Sequence, residues 1–493
     1  MVECVLGSAI MGSPVRIHPD NPKCFEFRGK PLALITATEH YGSVMNRPYD
    51  FERYLADANE KHQTLSRLFM LFRELQIAVN PYSTCKPESP DYISPFPRTG
   101  PGKALDGEPK YDLDQWNPEF FDRLHRFLSL ASDYGIIVEV VMLSNSYYPP
   151  VWELNPLYAD NNVNNLEQVE WWEVLTQRHP KLYARQRQHV LKIVEETNQY
   201  DNIIYEVCNE PFYSEENPTG PGLDELNDWH MALVGVIREM EAKLPKQHLI
   251  AGQESWLQGW QSADKAFRDL DLDIVNIHPS TNMGYGGKRR SMGPVSGKRL
   301  ELRNVRDFCL ASYHEPKPLN LDEDNAASLY KDEDGWTIHR KRAWTTVMCG
   351  AHYDMIDFSI LNYSPIGTPH SQRCLRTWMK HLSEFAHSMD LGRARPLPQW
   401  LNKAPEHAVD SVMAVEGEDY CIYLAADHEL DDPAYGASIS GTIMMDLPDG
   451  DFEISCYSPI TGLYSPSLNI VGGSNTSFNL PCFEHDIIIR IRR

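Results

Sequence analysis

Between Pro31 and Met389 the chain repeats one unit, a short apolar run followed by a helical pattern, until eight such runs have passed. They are PLALITATEHYG, TLSRLFML, IIVEVVML, NIIYEVCNEP, HLIAGQES, LDIVNIHPS, KPLNLDEDN and YDMIDFSIL. Apolar runs separated by helices mark parallel strands buried on both faces. Eight strand–helix units in series favour a closed (β/α)8 TIM barrel over an open sheet. The helices carry their own boundaries. Asn117 caps one, Pro118 opens its first turn, Phe121, Leu124, Leu128 and Ala131 form its stripe, and Gly135 ends it. A hairpin over Phe25–Phe27, turning at Arg28-Gly29, precedes the first strand. Two long connections interrupt the rhythm: 76–115, rich in Pro, Gly, Ser and Tyr, and 144–179, rich in Trp and Asn. Loops of that length are uncommon unless they serve function.

From residue 393 the grammar changes to short alternating strands separated by Gly, Pro and Asp turns. That pattern predicts a small antiparallel β-sandwich over 393–493, after a barrel occupying 1–392.

Charge narrows the partners. With 46 Lys and Arg against 69 Asp and Glu, the net charge is −23, which would repel nucleic acid or an anionic lipid surface. A neutral ligand such as a sugar fits, although acidity also serves solubility. No apolar stretch approaches the length of a membrane span. Ten cysteines are scattered without a CxxC pair and read as buried thiols rather than disulfides or a zinc site. Met1 to Ser13 lack the basic region of a signal peptide. The expectation is an intracellular protein, or an exported one whose leader lies outside this sequence. Nothing in the sequence specifies an oligomeric state.

Barrel enzymes place their chemistry where strands end and the following loops begin. Those positions hold Glu39-His40-Tyr41 after the first strand, Arg67 and Arg73-Glu74 on and after the second, Asn209-Glu210-Pro211 on the fourth, Gln253-Glu254 on the fifth, His278 on the sixth and Asp322-Glu323-Asp324 on the seventh. Hydrolysis of a glycosidic bond needs two carboxyl groups, one to protonate the departing oxygen and one to attack the anomeric carbon or activate water. Glu210 and Glu323, on strands four and seven, would face each other across a barrel mouth. Strand alternation sets Asp322 and Asp324 on the face opposite Glu323.

NIIYEVCNEP resembles the Asn-Glu-Pro element that ends strand four in clan A glycoside hydrolases, the group that includes family 5 cellulases and mannanases. The resemblance implies that Glu210 is the acid/base and that Asn209 binds the sugar 2-hydroxyl. KPLNLDEDN resembles the clan's strand seven and implies Glu323 as nucleophile. TLSRLFML is similar to the segment whose Arg supports that nucleophile, here Arg67, and DIVNIHPS to the strand whose His lines the site, here His278. The clan often has Tyr two residues beyond that His, where this sequence has Ser280; Tyr285 is the substitute. RKRAWTTVMCGAHYDMIDFSI and the terminal sandwich resemble a narrower group of barrels whose last domain is named for collagen binding. The resemblance covers nearly the whole chain and implies a retaining mechanism.

Glu39, His40, Glu74 and Trp256 complete the expected substrate contacts. Two or three of Trp152, Trp171, Trp172, Trp256, Trp260 and Trp336 are expected to meet sugar, Trp256 first among them. Glu254 is the rival nucleophile, and Glu206 reads as structural. A metal-dependent barrel hydrolase would want His-x-His on the first strand, which has one His, so neither metal nor cofactor is expected. Neither a phosphate loop nor a GxSxG elbow is present. The expected activity is hydrolysis of a neutral, β-linked oligo- or polysaccharide, with the long loops favouring an exo-acting pocket. The competing class is a carbohydrate- or matrix-binding protein on a retired barrel.

Overall fold

A computed structural model describes residues 12–39, 42–73, 89–213, 219–257, 261–279, 283–285, 288–289, 301–324, 332–430 and 432–493. His40, Glu74, Trp260, Ser280 and the side chain of Tyr285 lie outside the described residues.

Eight parallel strands form the barrel: β1 (Ile35–Thr38), β2 (Leu65–Phe69), β3 (Ile137–Ser144), β4 (Ile203–Asn209), β5 (Leu249–Gly252), β6 (Ile274–Ile277), β7 (Leu319–Asp324) and β8 (His352–Ile356). They pair in the order β1-β8-β7-β6-β5-β4-β3-β2. Thr64 brings the ends of that order together, its N–H donating to the Ile35 carbonyl at 3.1 Å and its hydroxyl accepting from Ile35 N at 2.9 Å. The surrounding helices are α1 (Phe51–Glu60), α2 (Pro118–Tyr134), α3 (Pro180–Thr197), α4 (Leu223–Glu241), α5 (Asp264–Arg268), α6 (Leu302–Ser312), α7 (Glu333–Met348) and α8 (Leu375–His387). Their ends follow the sequence signals. Asp50 caps α1 by accepting from Arg53 N, Asn117 caps α2 by accepting from Glu119 N, and Gly135 ends α2 at φ +73°.

The barrel interior is layered in steps of two residues, as inward-facing positions on a strand must be. Its floor is apolar. Leu65, Ile137, Ile204, Ala251 and Ile274 pack there against Phe25 and Phe27 of the N-terminal hairpin, which seals the bottom. That hairpin turns at Arg28 and Gly29, both at positive φ, as a two-residue turn requires. Two residues up from Leu65, Ile137, Ile204 and Ile274 stand Arg67, Glu139, Glu206 and Asn276, all buried. The middle of the barrel is therefore a charged layer between an apolar floor and the mouth.

The C-terminal unit comprises β9 (Arg395–Pro396), β10 (Leu401–Lys403), β11 (Ala408–Val415), β12 (Asp419–Ala426), β13 (Ile439–Tyr457), β14 (Leu468–Phe483) and β15 (Asp486–Arg492). It is antiparallel, ordered β9-β11-β12-β15-β13-β10, with β14 on β13. The long β13 shifts register repeatedly, so its two halves serve different neighbours and the sheet folds over a core of its own as a β-sandwich. Ile422, Leu424, Ile443, Met445, Ile489 and Ile491 belong to that core. The opposite parity, Cys421, Tyr423, Ala425 and Ile488, packs into the barrel's core instead.

Helix α7 lies between the two units, and every residue from Gly335 to Met348 is buried. Three consecutive cations reach three ways. Arg340 forms a two-bond pair with Asp486 on β15, both bonds 2.9 Å. Lys341 donates to the carbonyls of Ala426 and His428 at 3.0 and 2.9 Å. Arg342 pairs with Asp324 on β7 at 2.9 Å. Trp344 stacks on Tyr423 with ring centroids 5.7 Å apart. Among the described residues no helix is long and apolar enough to cross a membrane.

Candidate active site

Two glutamates leave the strands at the barrel mouth in an unusual backbone state. Glu210, just past β4, has φ +48°, and Glu323, within β7, has φ +53°. Residues other than glycine are disfavoured there by about 1–3 kcal/mol, a cost that persists only where surrounding structure enforces it. For Glu210 the enforcement comes from Asn145, at the end of β3. Its amide nitrogen donates to the carbonyls of Glu210 (3.0 Å) and Phe212 (3.1 Å), and its backbone N–H donates to that of Asn209 (3.0 Å). For Glu323 the β7–β8 register shifts between Leu321 and Asp324.

That shift corrects the alternation expected for β7. With φ positive at Glu323, Asp322 and Glu323 both face the barrel interior and both pair with Arg67. Asp324 turns outward, where Arg342 lies at 2.9 Å and the Tyr353 hydroxyl donates to it at 2.6 Å.

The site is organised by Arg67 and His278. The Arg67 guanidinium is fully buried. It donates to Glu206 through Nε (3.0 Å) and Nη2 (2.6 Å), to the Asn209 side-chain carbonyl through Nη2 (2.9 Å), and to Glu323 through Nη1. Asn209 in turn donates to the Tyr147 hydroxyl at 2.8 Å. His278 stands between the two strained glutamates. Its Nδ1 contacts Glu210 Oε1 at 2.8 Å, and its Nε2 lies 3.5 Å from Asp322 and 3.8 Å from Glu323. Glu210, His278 and Glu323 each present a donor atom within 4.8 Å of the other two. Burial works against charging His278, but Glu323, Asp322 and Glu210 outweigh it and raise its pKa well above the usual histidine value. The three surrounding carboxylates therefore favour the protonated imidazole.

Beneath them, one Arg67 serves Glu139, Glu206 and Asp322, which lie within 4.8 Å of one another. Burial raises Glu139 well above the carboxylate range, with Asp322 and Glu206 adding to the shift, although Asn276 donates to it at 2.6 Å. Glu206 is pushed up to about 7 by burial, against the pull of Arg67. Asp322 goes the other way: burial opposes its charge, yet Arg67 and His278 hold it below its ordinary value. The layer thus favours charge on Asp322 and protonation of Glu139 and, below about pH 7, of Glu206.

A pH-dependent stability follows from Glu206. Its folded-state pKa of about 7 exceeds the 4.5 of a free glutamate, so the folded state binds the proton more tightly. That contribution is complete below the unfolded value and is lost as pH rises through the folded one, a change on the order of 3 kcal/mol. Asp322, shifted downward, loses its contribution only as pH falls below its ordinary value of 3.8, outside this window. Thermal midpoints measured between pH 4.5 and 7 should fall more steeply in the wild type than in Glu206→Gln. Parallel curves for the two proteins would refute the assignment.

The remaining sequence candidates divide. Trp256 flanks the site, edge-on to His278 (6.5 Å) and to Phe212 (5.9 Å). Glu39 spends one oxygen on Gly42 N at 2.7 Å and the other on the Ser43 hydroxyl at 2.9 Å, holding the loop after β1. Glu254, the rival nucleophile, accepts from Lys265 N (2.5 Å) and Ala266 N (3.1 Å) at the start of α5, which accounts for its place at a strand end. Trp152 donates to the Val169 carbonyl at 2.8 Å inside its own loop, and Trp336 packs against His370. Trp171 and Trp172 pack edge to face on each other. Sequence reading missed Asn145 and Tyr147. Both lie in the SNSYY segment that ends β3, and polar residues at that position were the available signal.

A parallel eight-stranded barrel whose mouth brings together two carboxylates, an Asn, an Arg and a His has the two carboxyl groups that glycoside hydrolysis requires. Residues 97–286 match the family model described as cellulase (glycosyl hydrolase family 5), and the chain is a glycoside hydrolase whose barrel resembles those of clan A. The matched segment holds Asn209, Glu210, Trp256 and His278; Arg67 and Glu323 lie outside it and join the site through geometry. Among solved structures, a glycoside hydrolase family 5 protein from Bacteroides vulgatus ATCC 8482 is similar at 12% identity and a TM-score of 0.60, covering 97% of this chain and 93% of that one. A noncanonic maltogenic alpha-amylase, AmyB, from Thermotoga neapolitana is similar at 11% identity and a TM-score of 0.50, covering 93% and 99%. At these identities both likenesses speak to the fold alone. No curated protein sequence matches the chain.

Proposed function

We propose that the chain is a retaining glycoside hydrolase in which Glu323 is the nucleophile and Glu210 the acid/base. The observation that carries this reading is the closeness of the two carboxylates, one oxygen of each lying within 4.8 Å of one oxygen of the other. Retaining enzymes hold their carboxyls about 5–5.5 Å apart, whereas inverting ones leave about 6.5–9.5 Å for a water. Glu323 attacks the anomeric carbon while Glu210 protonates the departing oxygen. Water, deprotonated by Glu210, then releases the sugar. Arg67 steadies the ionised form of Glu323. His278 occupies Oε1 of Glu210, which leaves Oε2 to face the glycosidic oxygen. Asn209, fixed between Arg67 and Tyr147, is the group that meets the 2-hydroxyl, and Trp256 offers an aromatic wall.

The substrate is a neutral, β-linked oligo- or polysaccharide, cut from its end. The two long loops support an end-cutting pocket because they are laced to each other. Leu105 N donates to Asn161 at 2.9 Å, Leu113 N to Asn164 at 2.8 Å, and Val163 N to the Tyr111 carbonyl at 3.0 Å. The root of the second loop is Tyr147, the partner of Asn209.

The test is a panel of aryl β-glycosides followed by natural oligosaccharides, with the anomeric configuration of the first-formed product read by NMR. Retention and release of single sugar residues are expected. An inverted product would overturn the mechanism, and internal cleavage would overturn the end-cutting reading. Affinity for glycans without release of reducing sugar would favour a binding protein instead.

A further inference from the structure

We infer that His407, Asp427, His428 and Asp432 form a binding site for a zinc-class metal ion in the C-terminal domain, at its seam with the barrel. Ligand atoms of His407, Asp427 and His428 all lie within 4.8 Å of one another, and Asp432 joins them through its contact with His428. His407 Nδ1 lies 3.6 Å from Asp427 Oδ1, His428 Nδ1 lies 3.9 Å from the same oxygen, and His428 Nδ1 lies 3.0 Å from Asp432 Oδ2. The two imidazole rings are 5.0 Å apart between centroids. Tetrahedral zinc with bonds of about 2.0–2.2 Å sets neighbouring donor atoms about 3.3–3.5 Å apart. The observed separations bracket that value. A hydrogen bond accounts for the His428–Asp432 contact alone. It does not account for the second imidazole and the second carboxylate, His407 and Asp427, which stand beside His428 at separations too long for hydrogen bonding.

Each carboxylate is also divided in the manner of an oriented metal ligand. Asp427 presents Oδ1 to the histidines, while its Oδ2 faces Arg303 Nη2 at 3.7 Å. Asp432 presents Oδ2, while its Oδ1 accepts from Ala434 N at 2.8 Å. The backbone is fixed to match. Asp427 N donates to the His407 carbonyl at 3.0 Å, joining the start of β11 to the end of β12, and the His428 carbonyl accepts from Lys341 of α7. His407 is held at φ +61°, a conformation that histidine adopts where its surroundings impose it. The cluster opens onto a cavity of about 590 Å³, whose barrel side is formed by Glu301 and Arg303 at the start of α6.

Two neutral imidazoles and two carboxylates make a neutral complex with a dication. A mixed nitrogen–oxygen set suits zinc rather than calcium or magnesium, which take oxygen donors. Sequence spacing gives no hint of the site, because the ligands sit in separate Glu406-His407 and Asp427-His428 pairs that strand pairing alone brings together. Bound metal would tie β11, β12 and the turn through Asp432 into one unit.

The test is calorimetric titration of the full-length protein, stripped with chelator and dialysed, with zinc chloride. One equivalent is expected to bind, raising the thermal midpoint by a few degrees, with Co²⁺ in its place giving the strong visible absorption of a tetrahedral site. His407→Ala and His428→Ala should each weaken binding by at least about 10-fold without changing hydrolysis of an aryl glycoside. His407 is exposed, so its variant tests the site even where loss of the buried His428 impairs folding. Absence of binding, or binding undiminished in His407→Ala, overturns the proposal.

Discussion

Replacing Glu323 by Gly is expected to reduce glycoside hydrolysis by about 10⁵–10⁶-fold, the scale on which loss of a covalent nucleophile acts. The same variant should be more heat-resistant than the wild type. Glycine adopts the positive φ of this position without steric cost, and the substitution removes one carboxylate from the crowd around Arg67. Azide added to the variant enters the space of the lost carboxylate and attacks from the nucleophile's side. The product is a glycosyl azide of inverted configuration. Undiminished hydrolysis by Glu323→Gly would remove this residue from the mechanism, and the stability readout separates loss of chemistry from loss of fold.

For Glu210 the outcome differs in kind. Glu210→Gln should lose about 10²–10⁴-fold on substrates whose leaving group needs a proton, because general acid catalysis contributes on that scale. Aryl glycosides with good leaving groups should still form the glycosyl-enzyme, which then accumulates because no base activates water. In Glu210→Ala, azide intercepts that intermediate to give the retained glycosyl azide. Opposite stereochemistry from the two variants distinguishes the residues by role. Equal rates for the two leaving-group classes in Glu210→Gln would exclude it as the acid.

The alternation of strands and helices was legible in the sequence because each element declares itself locally: Asn117, Pro118 and Gly135 bound a helix whatever lies around it. The placement of Asn209 and Glu210 at a strand end was legible for the same reason. Asp322 was assigned to the wrong face because alternation assumes an extended backbone, and Glu323 at φ +53° breaks that assumption. Glu254 shows the converse problem. It follows a strand end as catalytic carboxylates do, yet it accepts from the backbone N–H groups of Lys265 and Ala266, 11 and 12 residues further on. The charged layer was legible only where the resemblance reached it, in the support that Arg67 lends Glu323. Glu139 and Asn276 meet across 137 residues of chain, so their pairing is a property of the closed barrel.

Helix α7 has consequences for how this protein can change over evolutionary time. A barrel helix normally keeps a polar outer side, but α7 is buried from Gly335 to Met348 and directs Arg340 and Lys341 outward into the terminal sheet. The last domain is therefore not an accessory that recombination could trade for another. A descendant that lost it would carry Trp344 and an unpaired Arg340 on an open flank, and would first need a rewritten α7.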